Sequence, residues 1–267
     1  MELLIQQLVN GIALGSIYAL VALGYTMVYG TIKLINFAHG DVYMMGAFVG
    51  FYAMNGLGLN IFLSLLLAMV SCAVLGVVIE RVAYKPLRRS TRVAALITAI
   101  GVSFLLENVM SYLFGAEIRP FPSDFGTTNY TLFGNITING KQILIFATTV
   151  ILMALLQFIV HYTKMGKAMR AVAVDEDAAQ LMGIDVDQVI SFTFALGSSL
   201  AGIAGVLVAL YYNTFSATMG IVPGLKAFVA AVLGGIGSIP GAMIGGYVIG
   251  LLETLVSYLG FSPYKDG

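Results

Sequence analysis

Residues 142–163 read QILIFATTVILMALLQFIVHYT, and residues 164–187, directly after them, read KMGKAMRAVAVDEDAAQLMGIDVD. The first string is one continuous apolar run. A hydrocarbon core of about 30 Å needs about 20 helical residues, and this run supplies them. The second string is basic at Lys164, Lys167 and Arg170, then acidic at Asp175, Glu176, Asp177, Asp185 and Asp187. An apolar span that opens into a long charged insert is a membrane helix emerging into water. The insert is longer than a bare helix connection needs.

The rest of the chain has the same character. Of 267 residues only 10% are charged, 59% are hydrophobic, and the mean hydropathy is +0.95. A soluble fold of this length needs a polar coat that 13 basic and 13 acidic side chains do not provide. A soluble globular enzyme, a nucleic-acid binder and a disordered chain are therefore excluded. With 31 Gly, the chain is rich in the residue that lets helices approach closely in lipid. Cys72 is the single cysteine, so no intrachain disulfide exists and no thiolate metal cluster is expected. Trp is absent, which leaves 14 Tyr to supply most of an interfacial belt. Met1-Glu2-Leu3-Leu4 lacks the basic region of a signal peptide, so the first apolar stretch reads as a retained span.

Apolar segments fall at 3–29, 34–54, 60–82, 93–114, 142–163, 190–212, 222–238 and 241–260. The fold class is an all-α polytopic membrane protein, a single transmembrane domain over 1–267 with about eight hydrophobic helical segments. The runs are continuous rather than alternating, which excludes a strand barrel. The second segment holds Lys33, Asn36, His39 and Asp41 at its start, and the seventh is short and Gly-rich. Both are candidates for half-helices or re-entrant elements. Small residues four apart recur at Gly11 and Gly15, Gly46 and Gly50, Gly197, Ala201 and Gly205, Gly237, Gly241 and Gly245, and Gly246 and Gly250. The plain reading of these stripes is helix packing.

Sidedness follows the basic residues. Arg81, Lys85, Arg88, Arg89 and Arg92 fill one loop, and Lys164, Lys167 and Arg170 open the other. Both loops are therefore cytoplasmic, and the 115–141 connection, which carries only Arg119 and Lys141 as basic residues, is external. Three full spans before Arg81 put the N-terminus outside; a re-entrant second segment would put it inside. Within the external loop, Ile136-Thr137-Ile138-Asn139-Gly140-Lys141 reads as a short strand-like turn. Asn129-Tyr130-Thr131 and Asn135-Ile136-Thr137 match the glycosylation sequon, a weak signal.

The cytoplasmic insert, about 164–189, contains a short helix. Asp175, Glu176 and Asp177 stand in its first turn, where negative charge favours the dipole. Ala178, Ala179, Leu181 and Met182 supply an apolar surface, and Gly183 stands where a C-cap belongs. The segment reads either as a docking element for another protein or as a surface helix lying on the bundle.

Polar residues within spans are costly and are pathway candidates. Asn36, His39 and Asp41 cluster in segment two, with Asn36 and His39 on one face if that segment is helical. Gly40 is a candidate break of the kind seen in discontinuous transporter helices. Glu107 and Asn108 lie deep in segment four, and Glu253 in segment eight. Each carboxylate is either paired internally or lines the path. Lys226 is expected to snorkel to the external surface. Gly166-Lys167 is followed by Ala168 and preceded five positions earlier by His161, so a phosphate-binding loop fails there twice. Energy has to come from a partner or from an ion gradient.

Asp177-Ala178-Ala179 with Gly183 four residues after the second Ala resembles the E-A-A-x-x-x-G signature of ABC importer permeases, with Asp for Glu and without the I-x-L-P continuation. Asn10-Gly11-Ile12, Gly15-Ser16-Ile17-Tyr18-Ala19-Leu20, Ile35-Asn36-Phe37-Ala38-His39-Gly40-Asp41 and Leu233-Gly234-Gly235-Ile236-Gly237-Ser238-Ile239-Pro240-Gly241-Ala242 resemble the branched-chain amino-acid permease family, specifically its H-type members. The resemblance covers essentially the whole chain. It implies a transport subunit in the prokaryotic inner membrane that translocates branched-chain amino acids. The implied partners are a second homologous permease, two ATPase subunits that bind ATP and Mg, an external substrate-binding protein and the lipid bilayer. No cofactor in this chain and no nucleic-acid partner is implied. It assigns ATPase coupling to Asp177, Ala178, Ala179, Leu181, Met182 and Gly183. Members of the family usually continue past a Tyr-Lys-Asp like Tyr264-Lys265-Asp266 with a further apolar helix, and this sequence ends at Gly267, so a terminal helix is expected to be missing from it.

The competing readings are an ion-driven secondary transporter or channel, an integral membrane enzyme or structural bundle and, among ABC importers, a urea or short-chain amide permease.

Overall fold

The computed structural model describes residues 2–88, 90–122, 125–126, 128–132, 136–261 and 263. Asn135 and Tyr264-Lys265-Asp266 lie outside them. Among the described residues six helices are long and apolar enough to span a membrane: Glu2–Ile32, Ile61–Leu87, Val93–Phe114, Gly140–Tyr162, Val186–Tyr212 and Ile239–Tyr258. In chain order the helices are α1 (Glu2–Ile32), α2 (His39–Asn55), α3 (Ile61–Ile79), α4 (Arg92–Phe114), α5 (Gly140–Tyr162), α6 (Lys164–Val174), α7 (Glu176–Leu181), α8 (Val186–Tyr212), α9 (Ile221–Leu233) and α10 (Ile239–Tyr258). A π turn (Glu80–Tyr84) and a 3-10 turn (Lys85–Leu87) extend α3.

Sequence dictates where these helices begin. Asn60, Thr91, Asn139, Thr163, Asp175, Asp185 and Ser238 are N-caps whose side chains accept from backbone N–H groups of the first turn. At α5 the cap is reciprocal, because the Gln142 side chain bonds back to the Asn139 N–H.

α1 and α8 form the centre. The most apolar windows of these two helices are 94% and 83% buried, against 17% in α4, so α4 is a peripheral span. The small-residue stripes lie at the helix contacts. Gly11 faces Leu251 and Thr254, and Gly15 and Ala19 face Gly250 and Gly246, which locks α1 antiparallel to α10. Gly46 meets Gly202, and Gly205 meets Tyr43 and Ala47, which seats α2 on α8. Gly241 and Gly245 pack on Gly234 and Ala230. Gly237 does not continue that stripe. It has φ +100 in the turn before α10 and lies beside Gly30.

Two short hairpin-like pairings close the external end. β1 (Arg119–Pro120) pairs antiparallel with β4 (Thr214–Phe215), and β2 (Asn129–Leu132) with β3 (Ile136–Asn139). The strand-like turn expected at 136–141 is the second of these. Phe215 packs at ring-centroid distances of 4.9 Å on Phe48 and 4.7 Å on Phe51.

This geometry settles the side of the N-terminus. The Gln6 amide donates to the Thr137 carbonyl and accepts from its N–H, both at 2.9 Å, so the start of α1 lies with the 115–141 loop. The other end of α1, at Thr26 to Thr31, meets Val160 and Arg170 on the basic side. The second segment also crosses. Its lead-in touches Tyr84 beside the basic loop through Asn36, and its far end reaches the Phe121 and Phe215 rings through Phe51. Three crossings precede Arg81, so the N-terminus lies at the end opposite the basic loops, which is the external end on the charge rule.

Candidate functional site

The two suspect segments hold short helices. Residues 33–38 are not helical, Lys33 has φ +55, and α2 starts only at His39. α9 starts at Ile221, after a non-helical descent from Phe215. Gly220 abuts Gly40 backbone to backbone, and Gly224 also lies against Gly40. Phe48, which packs on Phe215, is eight residues further along α2 than Gly40, a rise of about 12 Å. Gly220 therefore lies well below the external surface. α2 runs outward from this level and α9 runs inward. Irregular backbone at membrane depth is tolerated where protein covers it or a cavity adjoins it.

The polar residues of segment two do not share a face, contrary to the helical reading. Asn36 is buried and accepts from the Tyr84 hydroxyl at 3.0 Å. His39, fully buried, fits against Gly24 of α1 close to Gly197 of α8, with Tyr25 edge-on at 4.6 Å. Its ring nitrogens make no well-aligned hydrogen bond; their polar contact is to the Val21 carbonyl. Asp41, also buried, points the other way, to Ser103 and Glu107 of α4. Glu107 is half-buried. Asn108 faces outward and donates to the Phe104 carbonyl of its own helix at 2.7 Å, so it does not join Asp41. The structure thus places Asp41 against Ser103 and within electrostatic reach of Glu107, and separates Asn36, His39 and Asn108 from them.

Lys226 does not snorkel. Its ammonium lies 2.8 Å from Glu253 Oε2, with both side chains almost entirely buried. The Tyr18 hydroxyl donates to the same oxygen at 2.7 Å. The signal for this pair was present in the sequence as two opposite charges in neighbouring apolar segments.

A third buried carboxylate carries no mark in the sequence that sets it apart. Glu80, in the π turn, is fully buried, pairs with Arg88 and accepts from Ser191 Oγ at 2.7 Å. Arg88 also pairs with Asp187, which Lys85 contacts as well. This network fastens the base of α8 to the end of α3.

α7 hangs between those fixed points. On one side, α6 is tied to α5: Arg170 donates to the Val160 and His161 carbonyls at 2.9 and 3.4 Å, covering the open end of that helix. The Asp175 side chain accepts from the Ala178 N–H at 2.9 Å. At the far end Gly183 adopts φ +81, with Ile184 N bonded to the Ala179 carbonyl and Gly183 N to the Gln180 carbonyl. This is a Schellman termination, and it needs a left-handed residue at that position. Ala179 is buried against the bundle, while Asp177 and Ala178 are exposed. Leu181 is 89% exposed, Met182 82% and Val174 89%. The turn from α6 into α7 and the end of α7 thus leave three apolar side chains bare on the side of the basic loops.

The chain is 44% identical over 273 residues to the high-affinity branched-chain amino acid transport system permease protein LivH of Escherichia coli, covering 98% of this chain and 89% of that protein. It is 42% identical over 275 residues to the corresponding protein BraD of Pseudomonas aeruginosa, with the same coverage. The ribose import permease protein RbsC of Escherichia coli is 28% identical over 97% of this chain and 80% of its own length. Among solved structures, PsaBC from Streptococcus pneumoniae in complex with Fab shares the fold at a TM-score of 0.50 and 14% identity, over 96% of this chain and 86% of that one. The family described as "Branched-chain amino acid transport system / permease component" matches residues 7–266, through both interrupted helices and the cytoplasmic insert, and the chain belongs to that family.

Proposed function

We propose that this chain is one of two homologous permease subunits that together carry branched-chain amino acids inward, driven by ATP hydrolysis in two docked ATPase subunits and supplied by an external binding protein. Membership of the family makes it a multi-pass membrane transport component rather than an ATPase. ATP and Mg belong to the docked subunits.

The observation that carries the coupling role is the bare apolar crown of α7. Leu181 and Met182 are the contact residues, Asp177 and Ala178 border them, and Ala179 and Gly183 hold the helix in its pose. An ion-driven carrier has no use for such a surface. The path runs past the starts of α2 and α9. Asp41 with Glu107 across from it is the polar pair that lines the path. Asn36 and His39 fix the lead-in to α2, and Asn108 faces a neighbour across the outer side of α4.

The test is the double variant Leu181→Glu/Met182→Glu. Both side chains are exposed, so membrane insertion and thermal stability stay unchanged, and co-purification of the ATPase subunits is lost. Retained co-purification with retained uptake would remove the docking role.

A further inference from the structure

Three helices meet in one buried polar cluster: Tyr18 from α1, Lys226 from α9 and Glu253 from α10. Tyr43 of α2, buried, and Tyr212 at the exposed end of α8 border it. Lys226 and Tyr18 converge on Glu253 Oε2, and the Lys226 ammonium also sits 5.8 Å from the centre of the Tyr18 ring. Tyr43 and Tyr212 lie within electrostatic reach of Tyr18. The Tyr43 hydroxyl is buried and has no hydrogen-bond partner, although a buried polar group ordinarily has one. Tyr43 and Tyr212 also line a pocket of about 170 Å³ beside the β1–β4 pairing, whose other walls include Val208, Phe215 and Met219 on one side and Thr214 and Ser216 on another. The pocket has an apolar wall and a polar one, and the two tyrosines that line it border the cluster.

We propose that the cluster is a transit site for a zwitterionic amino acid, in which the Lys226–Glu253 pair opens and re-forms across the substrate. This rests on the amino-acid permease reading above. A buried ion pair is costly to break when one partner is left alone. A zwitterion avoids that cost because it carries both charges on one carbon. Its carboxylate replaces Glu253 on Lys226, its ammonium replaces Lys226 on Glu253, and the idle Tyr43 hydroxyl donates to the carboxylate. The aliphatic side chain rests against Val208, Phe215 and Met219. A lone anion or a lone cation neutralises only one of the two buried charges and a neutral amide neutralises neither, so the pair excludes such solutes. The site is closed when empty because the two charges neutralise each other, and binding there is weak because one pairing is exchanged for another.

The experiment uses the complete complex, with ATPase subunits and binding protein, in proteoliposomes loaded with ATP, and compares Tyr43→Phe and Lys226→Met/Glu253→Gln with the parent. In Tyr43→Phe only an unpartnered hydroxyl is removed, so a structural role predicts no loss of any kind. The transit site predicts leucine uptake lowered about tenfold, the effect of one hydrogen bond to a charged group, with thermal stability equal or higher. The neutral pair keeps the Tyr18 hydrogen bond and is expected to lower leucine uptake at least as far while ATPase association persists. Uptake by Tyr43→Phe within twofold of the parent would overturn the proposal, whether or not the neutral pair folds. If the parent complex hydrolyses ATP but moves no leucine, the amino-acid reading fails separately, before any variant is compared.

Discussion

Gly40 and Gly220 are in mutual backbone contact, and the contact joins the starts of two helices that run in opposite directions. A methyl group on Gly40 would lie 2.5 Å from the Gly220 carbonyl oxygen and 3.3 Å from its carbon. Both neighbours are backbone, so no rotamer change relieves the overlap. Gly40→Ala is expected to lower stability by about 1–3 kcal/mol, the usual cost of overpacking, and to reduce uptake more than an alanine at Gly101, an exposed helical position with nothing within 4 Å of an added methyl group. Thermal melting in detergent and uptake assays read the two effects.

The topology makes a labelling prediction. Cys72 is almost completely buried and gives little background. Tyr130→Cys in the external hairpin and Leu3→Cys at the start of α1 are expected to react with a membrane-impermeant maleimide in intact cells. Leu181→Cys is expected to react only after permeabilisation. Labelling of Leu3→Cys from the cytoplasmic side alone would contradict the three-crossing order.

The cytoplasmic network separates strong from weak ion pairs. Glu80 is fully buried and Arg88 is 16% exposed, whereas Lys85 and Asp187 are about half exposed. Arg88→Ala strands a buried carboxylate and is expected to cost about 3 kcal/mol or more. Lys85→Ala removes a solvent-screened pair and is expected to cost under about 1 kcal/mol. Equal melting temperatures for the two variants would show that the network does not hold α8 to α3.

At Gly183 the constraint is the backbone angle alone, because nothing lies within 4 Å of an added methyl group. Gly183→Ala is expected to cost about 1–2 kcal/mol locally through the left-handed conformation. That loosens the end of α7 without disturbing the bundle. The expected readout is faster proteolysis around residues 175–185 and weaker substrate stimulation of ATP hydrolysis, with unchanged melting of the membrane core.

Wherever a signal is local, the sequence discloses the structure. Uninterrupted apolar runs mark the six spans, side-chain caps mark their starts, and Gly183 marks the end of α7. The interruption of segments two and seven is also visible, because Asn36, His39, Gly40 and the glycines near α9 are costly inside a continuous helix. Partnerships are not local. His39 points to α1 while Asp41 points to α4, because residues 33–38 leave the helical path and α2 begins with a fresh phase. Lys226 carries the usual mark of a snorkelling lysine; the opposite charges of Lys226 and Glu253 in neighbouring apolar segments hint at a pair, and the packing of α9 on α10 makes it one. Glu80 lies next to a basic loop and reads as a surface residue until the π turn rotates it inward to Ser191.

On the proposed function this chain works as the membrane half of an ATP-driven importer rather than as an independent carrier. The most direct measurement is leucine accumulation in proteoliposomes that hold the complete complex, with ATP inside and binding protein outside, in the presence and absence of an ionophore. The account predicts accumulation that requires ATP and the ATPase subunits and is unaffected by collapse of the ion gradients. Accumulation by this chain without the ATPase subunits, abolished by the ionophore, would contradict it.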